Sequence, residues 1–147
     1  MPKAIIIYDT RKGATQLMAE TIQEGMIQAG VKVSAKRISE VDIAELKDFA
    51  GVILGSPTYH KEMIGTMKTF LFRLEKAELK GKVGAAFGAY GWSGEAVGMI
   101  SETMKHIFGM DVVEPAVKLA GSVDGVGKAE YQALGKNIAD KLKAKKK

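Results

Sequence analysis

Residues 3–15 read Lys3-Ala-Ile-Ile-Ile-Tyr-Asp-Thr-Arg-Lys-Gly-Ala-Thr15. Ala4 to Ile7 is an unbroken apolar run rich in β-branched side chains, as expected of a parallel strand covered on both faces. Ala14, Met18, Ile22, Gly25 and Ala29 then recur at helical spacing, with Leu17 and Met26 beside them, which predicts a helix. The polar loop between strand and helix holds Thr10, Arg11, Lys12 and Gly13, and Thr15 follows at once. The first N–H groups of a helix lack intrahelical partners and its dipole is positive there, so such a loop suits an anion, above all a phosphate. Thr10 and Thr15 serve there either as phosphate donors or as plain helix caps, and this stretch alone leaves both open.

Outward from this stretch the same alternation repeats. Val31 to Ile38 alternates apolar and polar residues, which suits an edge strand with one wet face. Val41 to Leu46 is a short helical stretch, and Ala50 to Ser56 is a third, apolar strand ending at Pro57. Met63, Met67, Phe70, Leu71 and Leu74 mark one face of a helix. Lys82 to Gly88 is a fourth strand made of small residues, as close helix packing on both faces would require, and a loop of residues 89–94 follows it. Val97, Ile100, Met104, Ile107 and Phe108 give the next helix face. Asp111 to Leu119 is a fifth strand whose Pro115 calls for an edge or a bulge, and Tyr131, Leu134, Ile138 and Leu142 complete the last helix. Strand–helix alternation of this kind implies a mainly parallel five-stranded sheet with helices on both faces, an α/β three-layer sandwich, and the doubly wound order 2-1-3-4-5 is the expected one.

Ligands of such sheets bind outside the carboxyl ends of the strands. Three loops there are chemically unusual: Thr10–Thr15, Ser56–Glu62 and Gly88–Glu95, after strands one, three and four, which are neighbours in that order. The second and third loops carry Tyr59, Tyr90 and Trp92 beside Gly91 and Gly94, a composition suited to stacking on a flat ring. A phosphate at one end and a planar ring at the other describes a mononucleotide-like cofactor. Two other ligand chemistries fail on spacing. The glycines at 88, 91 and 94 do not match the dinucleotide fingerprint, and Ser56 stands where a phosphoryl-accepting carboxylate would be needed.

The stretch from Tyr8 to Thr15, Gly55-Ser-Pro-Thr58 and Ala86-Phe-Gly-Ala-Tyr-Gly-Trp-Ser-Gly-Glu-Ala96 together resemble the flavodoxin family, above all the flavodoxin domain of A-type flavoproteins (flavodiiron proteins). The resemblance runs from Lys3 to about Leu142 and is to the short-chain form. It implies bound FMN and electron transfer between redox partner proteins. By position, Thr10, Arg11, Lys12, Gly13, Ala14 and Thr15 would wrap the phosphate. Ser56, Pro57, Thr58, Tyr59 and His60 would line the ribityl chain and one ring edge. Gly88, Ala89, Tyr90, Gly91, Trp92 and Gly94 would contact the isoalloxazine. The alternative is a flavodoxin-like NAD(P)H-dependent quinone reductase, which would need an extended loop over the ring, and the loops here are short. The electron carrier is the expectation, with no catalytic residue of its own.

Composition narrows the rest. At 147 residues and 46% hydrophobic, one domain over residues 1–142 is expected, followed by a basic tail at 143–147. No apolar run approaches the roughly 20 residues that span a bilayer. There is no cysteine, and with no signal peptide pattern a cytoplasmic location is expected. The net charge of +5 equals the five lysines of residues 141–147, so residues 1–140 balance at zero, and no nucleic-acid face is expected. The two histidines, His60 and His106, are too few for a diiron centre, so no metal is expected. A monomer or weak homodimer is the expected state. Arg11 and Lys12 depart from the uncharged phosphate loop of ordinary flavodoxins and would favour the reduced, anionic flavin.

Overall fold

The computed structural model describes residues 3–8, 14–55, 58–59, 62–63, 65–90, 95–113, 117–120 and 125–145. In chain order the elements are β1 (Lys3–Tyr8), α1 (Ala14–Gln28), β2 (Lys32–Arg37), two short 3-10 turns (Ile38–Glu40 and Ile43–Asp48) and β3 (Gly51–Gly55). A small hairpin, β4 (Thr58–Tyr59) and β5 (Glu62–Met63), precedes α2 (Gly65–Leu74) and β6 (Val83–Tyr90). Then come α3 (Glu95–Glu102), a π-helical turn (Thr103–Ile107), β7 (Asp111–Val112), β8 (Val117–Ala120) and α4 (Gly125–Lys145). The main sheet runs β2-β1-β3-β6-β7, with β8 also on β6, and every pairing in it is parallel. With β7 and β8 as two pieces of one strand, this is the expected 2-1-3-4-5 order.

Successive residues of a strand face opposite sides, and the apolar strands use both sides. Ile5, Ile7, Val52, Leu54 and Ala86 pack with Leu46, Met67, Phe70, Leu74, Ile100 and Met104 from the 3-10 turns, α2 and the α3 segment. Ala4, Ile6, Tyr8, Ile53, Ala85 and Phe87 pack with Met18, Ile22, Met26, Tyr131, Leu134 and Ile138 from α1 and α4. Full burial of each aliphatic side chain of this kind is worth about 1.5–3 kcal/mol. The small residues of β6 are explained at Gly84, where a Cβ would sit 2.7 Å from Met104 Cε and 3.1 Å from Met110 Cε. α1 and α4 cross at Gly25 and Gly135. A Cβ on Gly25 would stand 2.4 Å from the Gln132 carbonyl oxygen, and one on Gly135 the same 2.4 Å from that of Ile22.

Four expectations are corrected. Met63 belongs to the hairpin, paired with Thr58, not to the following helix. Ala89 and Tyr90 are strand residues, because β6 continues past the end of β3 by pairing Gly88–Tyr90 with Lys118–Ala120. Leu17 is 45% and Ile107 67% exposed, so neither joins a core. The π turn inserts one residue into the helical count and rotates Ile107 outward, while Ile100 and Met104 before it stay buried.

The fifth strand is described as two pieces, one on each side of Pro115 in the sequence. β7 pairs Val83 with Asp111, while β8 pairs Phe87 with Val117. Six steps of the fifth strand therefore match four of β6, so its register shifts by two residues between β7 and β8, and Pro115 lies outside the described residues. At the other end of the molecule α4 continues to Lys145, and Lys143 Nζ donates to the Ala29 carbonyl at the end of α1.

Candidate functional site

Tyr8, Gly55, Phe87 and Val117 form one transverse row across the sheet, fixed by register. Beyond that row β1 and β3 stop, and the chain leaves them toward α1 and toward the hairpin. β6 and β8 continue for three further residues each, Gly88–Tyr90 beside Lys118–Ala120. The result is a step at the carboxyl end of the sheet, low over β1 and β3 and raised along β6 and β8. The hairpin lies against both β6 and α3, so it borders the same step.

The predicted site residues distribute around this step. Ala14 and Thr15 open α1, Thr58 and Tyr59 form β4, and Gly88, Ala89 and Tyr90 end β6. Thr10, Arg11, Lys12, Gly13, Ser56, Pro57, His60, Gly91, Trp92 and Gly94 lie outside the described residues, on the stretches that leave β1, β3, β4 and β6. The structure thus brings the three segments to adjacent strand ends. The end of the expected fifth strand, β8, flanks the raised part of β6, and periodicity missed one element, Glu62–Met63 as the second arm of the hairpin. A two-residue strand leaves no periodic signal.

The floor below the step is apolar and closely fitted. A Cβ on Gly55 would lie 2.2 Å from Phe87 Cζ, so the ring of Phe87 occupies the space a side chain there would need. Tyr131 meets that ring edge-on, with centroids 6.3 Å apart and planes at 80°. Tyr8, the last residue of β1, is buried, and burial pushes its phenol above the ordinary value. The carboxylates of Glu20 and Glu40 push the same way, and Arg37 offsets part of this. The hydroxyl is therefore neutral and contributes no charge to the site.

α1 begins at this end of the sheet with no acidic residue in its first turn. The positive end of its dipole is thus uncompensated by its own carboxylates, which fits an anionic group at that place. Among the described residues no group of three or more His, Cys, Asp or Glu is placed to hold a metal ion.

The family model described as flavodoxin matches residues 6–133. The chain belongs to the flavodoxin family. A solved flavodoxin from the domain Archaea superposes with a TM-score of 0.92 at 37% identity, covering 96% of this chain and 99% of that one. A type A flavoprotein of Rhodobacter capsulatus is 34% identical over 94% of this chain and 33% of its own length. A nitric oxide reductase of Moorella thermoacetica is 32% identical over 95% and 36% respectively. The chain spans about a third of the length of the curated relatives it matches first. Flavodoxin family and fold together place it among electron-transfer flavoproteins. No helix among the described residues is long and apolar enough to cross a membrane.

Proposed function

We propose that this chain is an FMN-binding electron carrier that shuttles electrons between redox partner proteins in the cytoplasm. The observation that supports the reading is the transverse row of Tyr8, Gly55 and Phe87, at which β1 and β3 end while β6 runs on, leaving one step beside the start of α1. The loop ahead of α1, with Thr10, Gly13 and Thr15, holds the phosphate at the positive helix end. Residues 56–60 line the ribityl chain and a ring edge. Residues 88–92 and Gly94 contact the ring from the raised side of the step. The bound flavin supplies the redox chemistry, and the chain's own residues orient it, exclude water and set its electrostatics.

A carrier is supported over a nicotinamide-dependent reductase by the short connections at the site. Tyr59 pairs directly with Glu62, so only two residues link the arms of the hairpin, too few to build a second pocket over the ring. The purified protein is expected to be yellow, and to release one FMN per chain on heat denaturation. Under anaerobic conditions NADPH alone is expected to leave the visible spectrum unchanged, while a flavodoxin reductase with NADPH bleaches it. A folded, colourless protein that does not take up added FMN would overturn the cofactor. Rapid bleaching by NADPH alone would overturn the carrier.

A further inference from the structure

The end of the sheet opposite the step, where the strands begin, carries a second concave feature. Lys3 opens β1 and stands in register with Lys32, which opens β2. Beside them a groove of about 440 Å³ is lined by Ile27, Val31, Val33 and Phe49 together with the two lysines, and no carboxylate lines it among the described residues. Ile27 is 56% exposed although it sits on the same helix as the buried Met26. Lys3 Nζ stands 5.5 Å from the centre of the Phe49 ring, which keeps its ammonium at the groove. Neither Lys3 nor Lys32 has a carboxylate partner among the described residues.

The neighbouring cations are engaged elsewhere. Lys82 donates to the carbonyls of Lys47 and Phe49, Lys143 to that of Ala29, and Lys141 pairs with Asp111 at 3.1 Å. Of the acids toward this end, Asp48, Asp111, Asp140, Glu75, Glu78 and Glu24, one turn before Ile27 on α1, none lines the groove. An apolar recess flanked by two ammonium groups that have no carboxylate partner among the described residues is complementary to an apolar side chain flanked by carboxylates. A recess admits a protruding side chain, which a flat bilayer surface does not offer.

We propose that this groove docks an acidic segment of a partner protein, with an apolar side chain of that segment between Ile27 and Phe49 and its carboxylates at Lys3 and Lys32. The six residues of β1 separate the groove from the step by about 20 Å. A partner held here leaves the three loops uncovered, so the contact tethers the molecule without competing for its redox end. The proposal is independent of which flavin the step binds.

The test uses the full chain and two fluorescein-labelled peptides, Glu-Glu-Leu-Phe-Glu-Glu and Glu-Glu-Gly-Gly-Glu-Glu, with binding read as anisotropy at low salt. The first peptide is expected to bind saturably, and about tenfold more tightly than the second. K3E/K32E and I27S are each expected to weaken it by about tenfold or more, and added salt to weaken it further. A variant with Lys145, Lys146 and Lys147 changed to Ser is expected to bind as the parent does. Thermal melts check that each variant folds, and K3Q/K32Q replaces the charge reversal if that pair does not. No saturable binding, equal binding of both peptides, or loss confined to the tail variant would each overturn the proposal. Capture of the protein by phosphatidylserine vesicles without peptide binding would also overturn it, in favour of a lipid surface.

Discussion

Gly55 and Phe87 shape the redox end of the sheet at the scale of single residues. The Phe87 ring is fully buried and held by Tyr131, so it has little room to yield to a new methyl group 2.2 Å away. Gly55→Ala is therefore expected to cost about 1–3 kcal/mol, as overpacking of a close-fitted core does, and to lower the denaturation midpoint in urea. Gly55→Ala with Phe87→Leu should recover part of that loss, because the pair competes for one space. Strictly additive effects in the double-mutant cycle would show that the two do not compete. Tyr8 gives a pH dependence. Its folded-state value lies above the ordinary 10.0, through burial first and then Glu20 and Glu40, while the unfolded phenol ionises near the ordinary value. Its contribution is complete below that pH and is lost as pH climbs through the folded value. Tyr8→Phe is expected to make the alkaline decline in stability shallower, measured as urea midpoints between about pH 9 and 11.

Among the elements, the α1–α4 contact depends on the absence of two side chains. Gly25→Ala would ordinarily gain about 1 kcal/mol of helix propensity. Here the new Cβ meets a backbone carbonyl of α4 at 2.4 Å, and backbone cannot swing aside as a side chain can. Overpacking of up to about 3 kcal/mol outweighs the gain, so a net loss of about 2 kcal/mol is expected in urea unfolding. An equally or more stable variant would show that the helices separate at little cost. In the sequence Gly25 was visible only as an in-phase position of an apolar face, and nothing local announced that Gly135 would meet the same helix. The long elements were legible because Ile5–Ile7, Val52–Leu54 and the Met18, Ile22, Met26 series carry strong periods. Short or phase-shifted elements were not. Met63 falls in phase with Met67, Phe70 and Leu74, so a two-residue strand was absorbed into a helix pattern. Gly88, Ala89 and Tyr90 look like loop residues, and only pairing with Lys118–Ala120 extends the strand through them. That pairing depends on a fifth strand in two described pieces, whose register shift the proline suggested without placing.

For the molecule as a whole, the distribution of charge along its length matters more than the total of +5. α4 runs from the redox end to the opposite end, and its 21 residues at about 1.5 Å each carry its last residue, Lys145, some 30 Å away. At about 0.1 M salt the screening length is near 10 Å, so Lys145 is electrically remote from the step. Arg11 and Lys12 are different, because they precede Ala14, the first residue of α1, by three and two positions. With FMN bound as proposed, one such cation roughly 10 Å from the ring interacts with the anionic reduced form by about 0.4–1.7 kcal/mol, between water-like and surface-like dielectrics. For a one-electron step this is roughly 20–70 mV. Changing both Arg11 and Lys12 to Ser is expected to lower the second reduction potential by tens of millivolts, read by anaerobic spectroelectrochemical titration. Changing Lys145, Lys146 and Lys147 to Ser is expected to leave it unmoved at the same ionic strength. Equal shifts in both variants would mean that net charge, not its placement at the phosphate loop, sets the potential. No shift in either would mean that both loop cations are fully screened from the ring.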